Sequence, residues 1–389
     1  MSSAHLFQSV FDGPARTHEA YIPRPARCFA PHRIILAKGS TTTPDRHRLA
    51  EAICGAYPKA EIEEQPDVHH NKIDLGIGDR LGLHYEGKRT LVLGEHLSSV
   101  RHGDEDGNTC PNYWHFSPYG FCPYGCDYCY LAGSRGVRFS PTVKIFMNLD
   151  EMLDRIDTVA SKHGRPMPFY LGKLQDGLAL DRLTGYSRRM IRFFADHPYA
   201  RMTVLTKSVD VENLLDLDHR DHTILSWTTN PPEIDRQFEP NTPSVGKRIE
   251  AMRQCANAGY PVRAVVMPII PIDDWPDIYE VFLRDLLTCV PLSRITLGGT
   301  CIYKPALQLV ELKLGGENAI SKNLQTPDPR KGDRRARYTE SQRVDIYRHL
   351  IQTIRSIQPN LQIGLCLEHK SVFEALGMTP AIGQCNCLL

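Results

Sequence analysis

The chain has 389 residues, 12 cysteines and a formal net charge of +1. That length accommodates one large α/β domain with an appendage, or two or three ordinary domains, and an apolar content of 41% supplies a sizeable core. A charge balance so near zero excludes a global pull toward nucleic acid or membrane and leaves only a local basic patch to provide one.

Residues 1–30 lack an apolar run and carry scattered Arg, Pro and His, unlike a signal peptide. No stretch approaches the ~20 apolar residues of a membrane span. A cytoplasmic protein without a membrane partner is therefore expected. In a reducing compartment, clustered thiols point to metal rather than to disulfides. In chain order, "RIILAKG" reads as a strand and "TTTPDRHRLAEAICGAY" as a capped helix with proline in its first turn. "KAEIEEQ" and "KRTLVLGEH" are further strands, so residues 1–108 read as a small α/β N-terminal domain. The turn-rich "HGDEDGNTCPN" forms its boundary.

An alternation follows. Short apolar segments ("YWHF", "PFYLGKL", "RMTVLTK", "HTILSWTT", "YPVRAVVMPI", "SRITLGG" and "LQIGLCLE") are separated mostly by amphipathic helices such as "LDEMLDRIDTVASKHG" and "SVGKRIEAMRQCANAG". Strand–helix repetition with continuous apolar strands predicts a parallel sheet covered by helices, an open or partial barrel over residues 109–310. Ligands of such a sheet sit at the carboxyl ends of its strands. Residues 311–389 hold a long polar insertion (311–338), a last helix and strand, and a Cys-x-Cys tail. The insertion ends in Arg330, Lys331, Arg334, Arg335 and Arg337, either a solvated loop or a phosphate-contacting element.

The chemistry concentrates in "YGFCPYGCDYCYLAG", where Cys122, Cys126 and Cys129 follow a C-x3-C-x2-C spacing. Four thiolates close a tetrahedral zinc site. Three at this spacing leave one iron of a [4Fe–4S] cube without a protein ligand, open to the amino and carboxylate groups of S-adenosyl-L-methionine. Gly125 lets the loop fold tightly, and Tyr128 offers a flat ring beside the adenine. The competing reading is a zinc knot completed by Cys110 or His115, in a non-enzymatic nucleic-acid-binding protein.

At these residues the chain resembles the radical S-adenosylmethionine superfamily, and within it the spore photoproduct lyase family. "KRTLVLGEH", Cys110 and "YWHFSPYGFCPYGCDYCYL" carry the likeness. "DGLALDRLT", "VLTKSVDVENLL" and "RQFEPNTPSVGKRIEAMRQCANAGYPVRAVVMPI" continue it. The resemblance implies a partial (β/α)6 barrel and reductive cleavage of S-adenosylmethionine to a 5′-deoxyadenosyl radical. It also implies an electron donor such as flavodoxin or ferredoxin, and a substrate that is a DNA lesion or a small molecule. Carried over by position, Cys122, Cys126 and Cys129 bind the cluster, and Lys207 meets the cosubstrate carboxylate. Thr228 supplies a hydroxyl near the cosubstrate. Tyr130 occupies the place of a tyrosine implicated in returning a hydrogen atom. The chain departs from the pattern at Lys173, where the lyase has its catalytic cysteine, and at Gln175, where it has a serine. A lysine cannot donate a hydrogen atom as a thiol does, so Lys173 is read instead as a holder of an anionic substrate group.

"GQCNCLL" ends in Cys385 and Cys387, with Cys366 in the last strand as a third candidate. A disulfide across one residue is strained. Two thiolates on a mobile tail suit a soft ion, a second cluster or a redox relay. An alternative function follows: transfer of a 3-amino-3-carboxypropyl group to a thiophilic acceptor such as As(III). Cys54, Cys255 and Cys289 fall on helical patterns and are expected in the core. His69 and His70 read as loop residues.

Overall fold

The protein, seen in a computed structural model, is described over residues 21–103, 105, 107–134, 137, 139–327 and 332–389. Strand β1 (Arg33–Ala37) is followed by the helix Pro44–Gly55, whose Thr43 side chain accepts from the Arg46 amide and whose proline stands in the first turn. Strands β2 (Glu61–Gln65) and β3 (Thr90–Gly94) flank β1 in parallel, with the helix Arg80–Lys88 between them in sequence. Then come β4 (Val100–Gly103), β5 (Tyr113–Phe116), β6 (Tyr119–Gly120) and β7 (Val143–Phe146). The helical layers and strands β8 (Met167–Leu171), β9 (Ala200–Thr206), β10 (Thr223–Thr228), β11 (Val262–Ile269) and β12 (Arg294–Gly299) alternate after that. The short β13 (Cys301–Tyr303), β14 (Arg335–Arg337) and β15 (Gln362–Leu365) finish the set.

Two sheets result. The first has the order β2-β1-β3-β7-β6, and the second has the order β15-β12-β11-β10-β9-β8-β5-β4. They exchange segments: β4 pairs with β5 of the second sheet, while β7, after the cysteine loop, returns to β3 of the first. In the larger sheet the seven strands from β5 to β15 run parallel. One row of partners, Thr206, Trp227, Ala264, Ile295 and Ile363, crosses five of them. Its edges, β15 and β4, do not pair with each other, so the barrel is partial. The strands read as nearly continuous apolar runs because helices cover the outer face; Phe169, Phe194 and Trp227 are buried there.

Three expectations need correction. The segment 311–338 is not one loop: its start completes the helix Lys304–Leu314, and its end is β14, paired antiparallel with β13. Arg335 and Arg337 are buried there against Asp333, with Arg335 also on Glu105 at 2.9 Å, so charge pairing rather than phosphate binding explains them. Arg334 is exposed, while Arg330 and Lys331 lie outside the described residues. Cys289 is exposed at a helix end, whereas Cys255 is buried as expected.

The tail is the third. Its residues fill the amino-terminal end of the barrel interior instead of moving freely. Arg263 donates to the carbonyls of Asn386 and Leu388, and Arg294 to those of Cys385 (2.9 Å) and Leu389 (3.1 Å). Gly364 leaves the room: a Cβ there would stand 2.0 Å from the Gln384 carbonyl oxygen. Gly364→Ala is expected to unseat the tail, to cost about 1–3 kcal/mol of stability by overpacking, and to speed the reaction of Cys385 and Cys387 with a thiol reagent. Unchanged thiol reactivity would show that the tail is not held at this seat.

Candidate active site

The carboxyl ends of the parallel strands open into a cavity of about 190 Å³. Cys122, Cys126 and Cys129 line it together with Tyr128, Tyr130, Gln175, Asp176, Lys207 and Thr228. The cysteine loop leaves β6 and is pinned on three sides. The Phe121 amide donates to the Leu174 carbonyl at 3.1 Å, tying the loop to the end of β8. The Gly125 and Asp127 amides donate to the carbonyls of Pro240 (3.0 Å) and Phe238 (2.9 Å). A side chain on Gly125 would meet that Pro240 oxygen at 2.7 Å, so the close approach requires glycine. From the end of the helix Arg80–Lys88, the Lys88 ammonium donates to the carbonyls of Cys122 and Tyr124 and lies 3.7 Å from the centre of the Phe121 ring.

The three thiols fit a cationic multinuclear centre. Burial pushes the Cys126 thiol up to about 12 and that of Cys122 well above its ordinary value, so protein groups alone do not ionise them. Among the described residues, no three ligating side chains converge tightly enough to enclose a single metal ion. In a cube each thiolate grips its own iron. Cys110 lies within electrostatic reach of Cys366 and Cys385, and His115 is buried in the barrel wall with its Nδ1 unpartnered.

Behind the thiols lies a buried charge network that the sequence reading missed. Lys207, directly after β9, donates to Glu239 Oε1 at 3.0 Å and to the Tyr128 hydroxyl at 3.1 Å. The Tyr128 hydroxyl in turn donates to Glu239. The other Glu239 oxygen stands 2.6 Å from Arg248, a fully buried guanidinium that also meets Asp235 at 2.8 Å and the Thr228 carbonyl at 3.3 Å. Burial pushes the Glu239 carboxyl up, but Lys207 and Arg248 outweigh it and hold it at about 2. Glu239 follows directly on the helix Pro232–Phe238, inside "RQFEPNTPSVGKR"; its only sequence signal is an acidic residue amid a family-like segment.

Asp176 performs a similar service at β8. Its oxygens accept from the amides of Leu178 (3.0 Å), Ala179 (2.9 Å) and Lys207 (2.7 Å) and from the Thr206 hydroxyl (2.6 Å). Gln175 donates to the Phe116 carbonyl at 3.1 Å and leaves its buried Oε1 unpartnered at the cavity.

Lys173 stands apart. Its ammonium pairs with Glu105 at 2.9 Å and lies 4.8 Å from the centre of the Tyr113 ring, and it is not among the residues lining the cavity. Tyr130 joins the two regions, lining the cavity and donating to the Lys173 carbonyl at 2.8 Å. Cys366, Cys385 and Cys387 gather in the barrel interior and, like Lys173, are absent from the cavity lining. Cys301, at the start of β13, is a lining thiol that the sequence reading did not single out.

The sequence profile of the spore photoproduct lyase family matches residues 29–297. The chain is 31% identical over 203 residues to a spore photoproduct lyase of Clostridium acetobutylicum, covering 51% of this chain and 58% of that protein's length. A relative from Bacillus subtilis is 27% identical over 246 residues, covering 62% and 70%. One from Geobacillus sp. is 28% identical over 271 residues, covering 68% and 77%. A solved spore photoproduct lyase complexed with dinucleoside spore photoproduct superposes with a TM-score of 0.76 at 21% identity, covering 87% of this chain and 100% of that one. A variant with bound AdoMet and the same dinucleoside gives 0.75, covering 87% and 99%. At such identity these structures establish the shared fold.

Removing the Glu239 charge tests the network. Glu239→Gln is expected to cost about 3–5 kcal/mol by leaving Arg248 buried without its main partner, while Tyr128→Phe costs about 0.5–1.5 kcal/mol. Because the folded carboxyl titrates below its ordinary range, it contributes stability at and above about pH 4.5 that is lost as pH falls toward about 2. Denaturant unfolding across that window should show the loss in the parent and a smaller one in Glu239→Gln.

Proposed function

The chain belongs to the spore photoproduct lyase family, and from that membership we propose that it is a radical S-adenosylmethionine enzyme. The observation that carries the reading is the meeting of Cys122, Cys126, Cys129, Lys207 and Thr228 around one cavity at the carboxyl ends of the barrel strands. The three cysteines hold a [4Fe–4S] cluster, and S-adenosylmethionine binds over it. When bound, that pair supplies an electron and a sulfonium whose reductive cleavage yields a carbon radical.

The chain's own residues bind, orient and exclude water. Lys207 offers a point charge to the cosubstrate carboxylate, and Glu239 keeps its ammonium aimed into the cavity. Thr228 presents a hydroxyl from the end of β10. Gln175 Oε1 is a buried acceptor for a donor group of the bound molecule. Tyr130, a cavity residue whose hydroxyl donates to the Lys173 carbonyl, is the hydrogen-atom donor in this reading.

Lys173 favours a reaction other than the lyase's own. It carries no hydrogen atom donor, and its ammonium is engaged by Glu105. With Arg335 and Arg337 in ion pairs, the basic insertion no longer argues for DNA. A small molecule is therefore the preferred substrate class over a DNA lesion. A one-electron donor of the flavodoxin or ferredoxin type serves as partner.

The test is product analysis. After anaerobic reconstitution with iron and sulfide, dithionite and S-adenosylmethionine should yield 5′-deoxyadenosine in the parent and none in Cys126→Ala. Methylthioadenosine above its spontaneous background would instead establish 3-amino-3-carboxypropyl transfer to an acceptor such as As(III). Neither nucleoside, with the cluster present, would sink the radical reading. Binding of ultraviolet-damaged DNA at an affinity above that for undamaged DNA would overturn the small-molecule preference.

A further inference from the structure

Four thiols outside the cavity come together from three separate stretches of chain. Cys110 precedes β5, Cys366 follows β15, and Cys385 and Cys387 belong to the tail. Their neighbours fix the convergence. The Thr109 amide donates to the Glu368 carbonyl at 3.0 Å, bringing Cys110 alongside the end of β15. A Cβ on Gly383 would lie 3.5 Å from Pro111, and one on Gly364 would lie 3.5 Å from the Cys385 Cα. Cys110, Cys366, Cys385 and Cys387 lie within electrostatic reach of one another.

Two independent features say that this group of thiols is built around something. First, Asn386, between the two tail cysteines, is 3% exposed, and both polar atoms of its amide lack a hydrogen-bond partner among the described residues. The Thr296 hydroxyl and Arg263 Nε are buried and unpartnered as well. Thr296 shares the inward face of β12 with Arg294, which holds the tail, and with Gly298, whose added Cβ would meet Cys366 at 3.3 Å. Orphaned buried groups of this kind are costly and call for an occupant. Second, Arg263 and Arg294 are each 5% exposed and pair with no Asp or Glu side chain among the described residues. Both are engaged by oxygens of the tail, and Arg294 also by Gln362 Oε1 at 3.0 Å, so together they set a positive field over the thiols.

We infer that Cys110, Cys366, Cys385 and Cys387 ligate a second iron–sulfur cluster, one with complete cysteine ligation, seated in the barrel beneath the cavity. Charge selects the occupant. Four thiolates on an iron–sulfur core form a net anion, which Arg263 and Arg294 neutralise, and Asn386 donates to its sulfurs. A tris-thiolate of trivalent arsenic is neutral and leaves the two cations unmatched. Each thiol binds as thiolate and releases its proton. This site is independent of the proposed reaction and of the triad that serves it.

The experiment is metal and acid-labile sulfide analysis of anaerobically purified full-length chain. Cys122→Ala/Cys126→Ala/Cys129→Ala should retain iron and sulfide in equal amounts, about two or four of each per chain, and this remainder should vanish when Cys385→Ser and Cys387→Ser are added. Cys385→Ser/Cys387→Ser alone should lose that same share yet keep a reduced-cluster paramagnetic signal that S-adenosylmethionine perturbs, which shows the barrel still folded. A triad variant without iron, zinc in its place, or stoichiometric arsenite binding by the four thiols with no iron would overturn the inference. Loss of S-adenosylmethionine cleavage with the second iron share intact would count against the proposed function alone.

Discussion

The site depends on one buried carboxylate. Glu239 binds the Lys207 ammonium, the Tyr128 hydroxyl and the Arg248 guanidinium at once. Through them it joins the cysteine loop, the end of β9 and, by way of Arg248 and the Thr228 carbonyl, the end of β10. A fully buried Arg–Glu pair is not a strong source of net stability, because desolvation offsets most of its attraction. Its value is geometric. An ion pair with no water to replace either partner allows few alternative arrangements, so the three segments that must face a common ligand keep one relative position. Asp176 fixes the neighbouring end of β8 to β9 in the same manner, with four hydrogen bonds to one carboxylate.

The barrel then divides the chain's thiols. Cys122, Cys126 and Cys129 occupy the carboxyl ends of the strands, where loops are free to adapt to a ligand. Cys110, Cys366, Cys385 and Cys387 occupy the interior, where Arg263 and Arg294 draw the tail inward by its carbonyls. The tail takes the place that strand side chains fill at the centre of a small closed barrel. Tyr130 and Cys301 lie on the side of the cavity that faces the second set, and both are within electrostatic reach of Cys366.

In the proposed function, Lys173 is where this chain departs from the lyase pattern. A thiol at that position would be neutral and able to give up a hydrogen atom. An ammonium held by Glu105, which also binds Arg335, forms part of a rigid charged wall.

Much of the architecture was legible in the chain itself. The seven apolar segments became the seven parallel strands, because burial on both faces demands continuous apolar runs, and the amphipathic stretches between them became the covering helices. The triad spacing and Gly125 located the ligand loop, since short-range geometry is written in adjacent residues. Glu239 stayed hidden because an isolated acidic residue carries no pattern; its role exists only when Lys207 and Tyr128, 32 and 111 positions away, pack against it. Arg335 and Arg337 misled for the same reason, as a run of basic residues looks solvated until Asp333 and Glu105 are seen beside it. The tail was the largest surprise: a short polar end with two cysteines reads as mobile. Sequence therefore determined the strands, helices and ligand loop, which depend on local periodicity and spacing. Tertiary structure alone decided which charges are paired and which thiols meet, because long-range contacts set both.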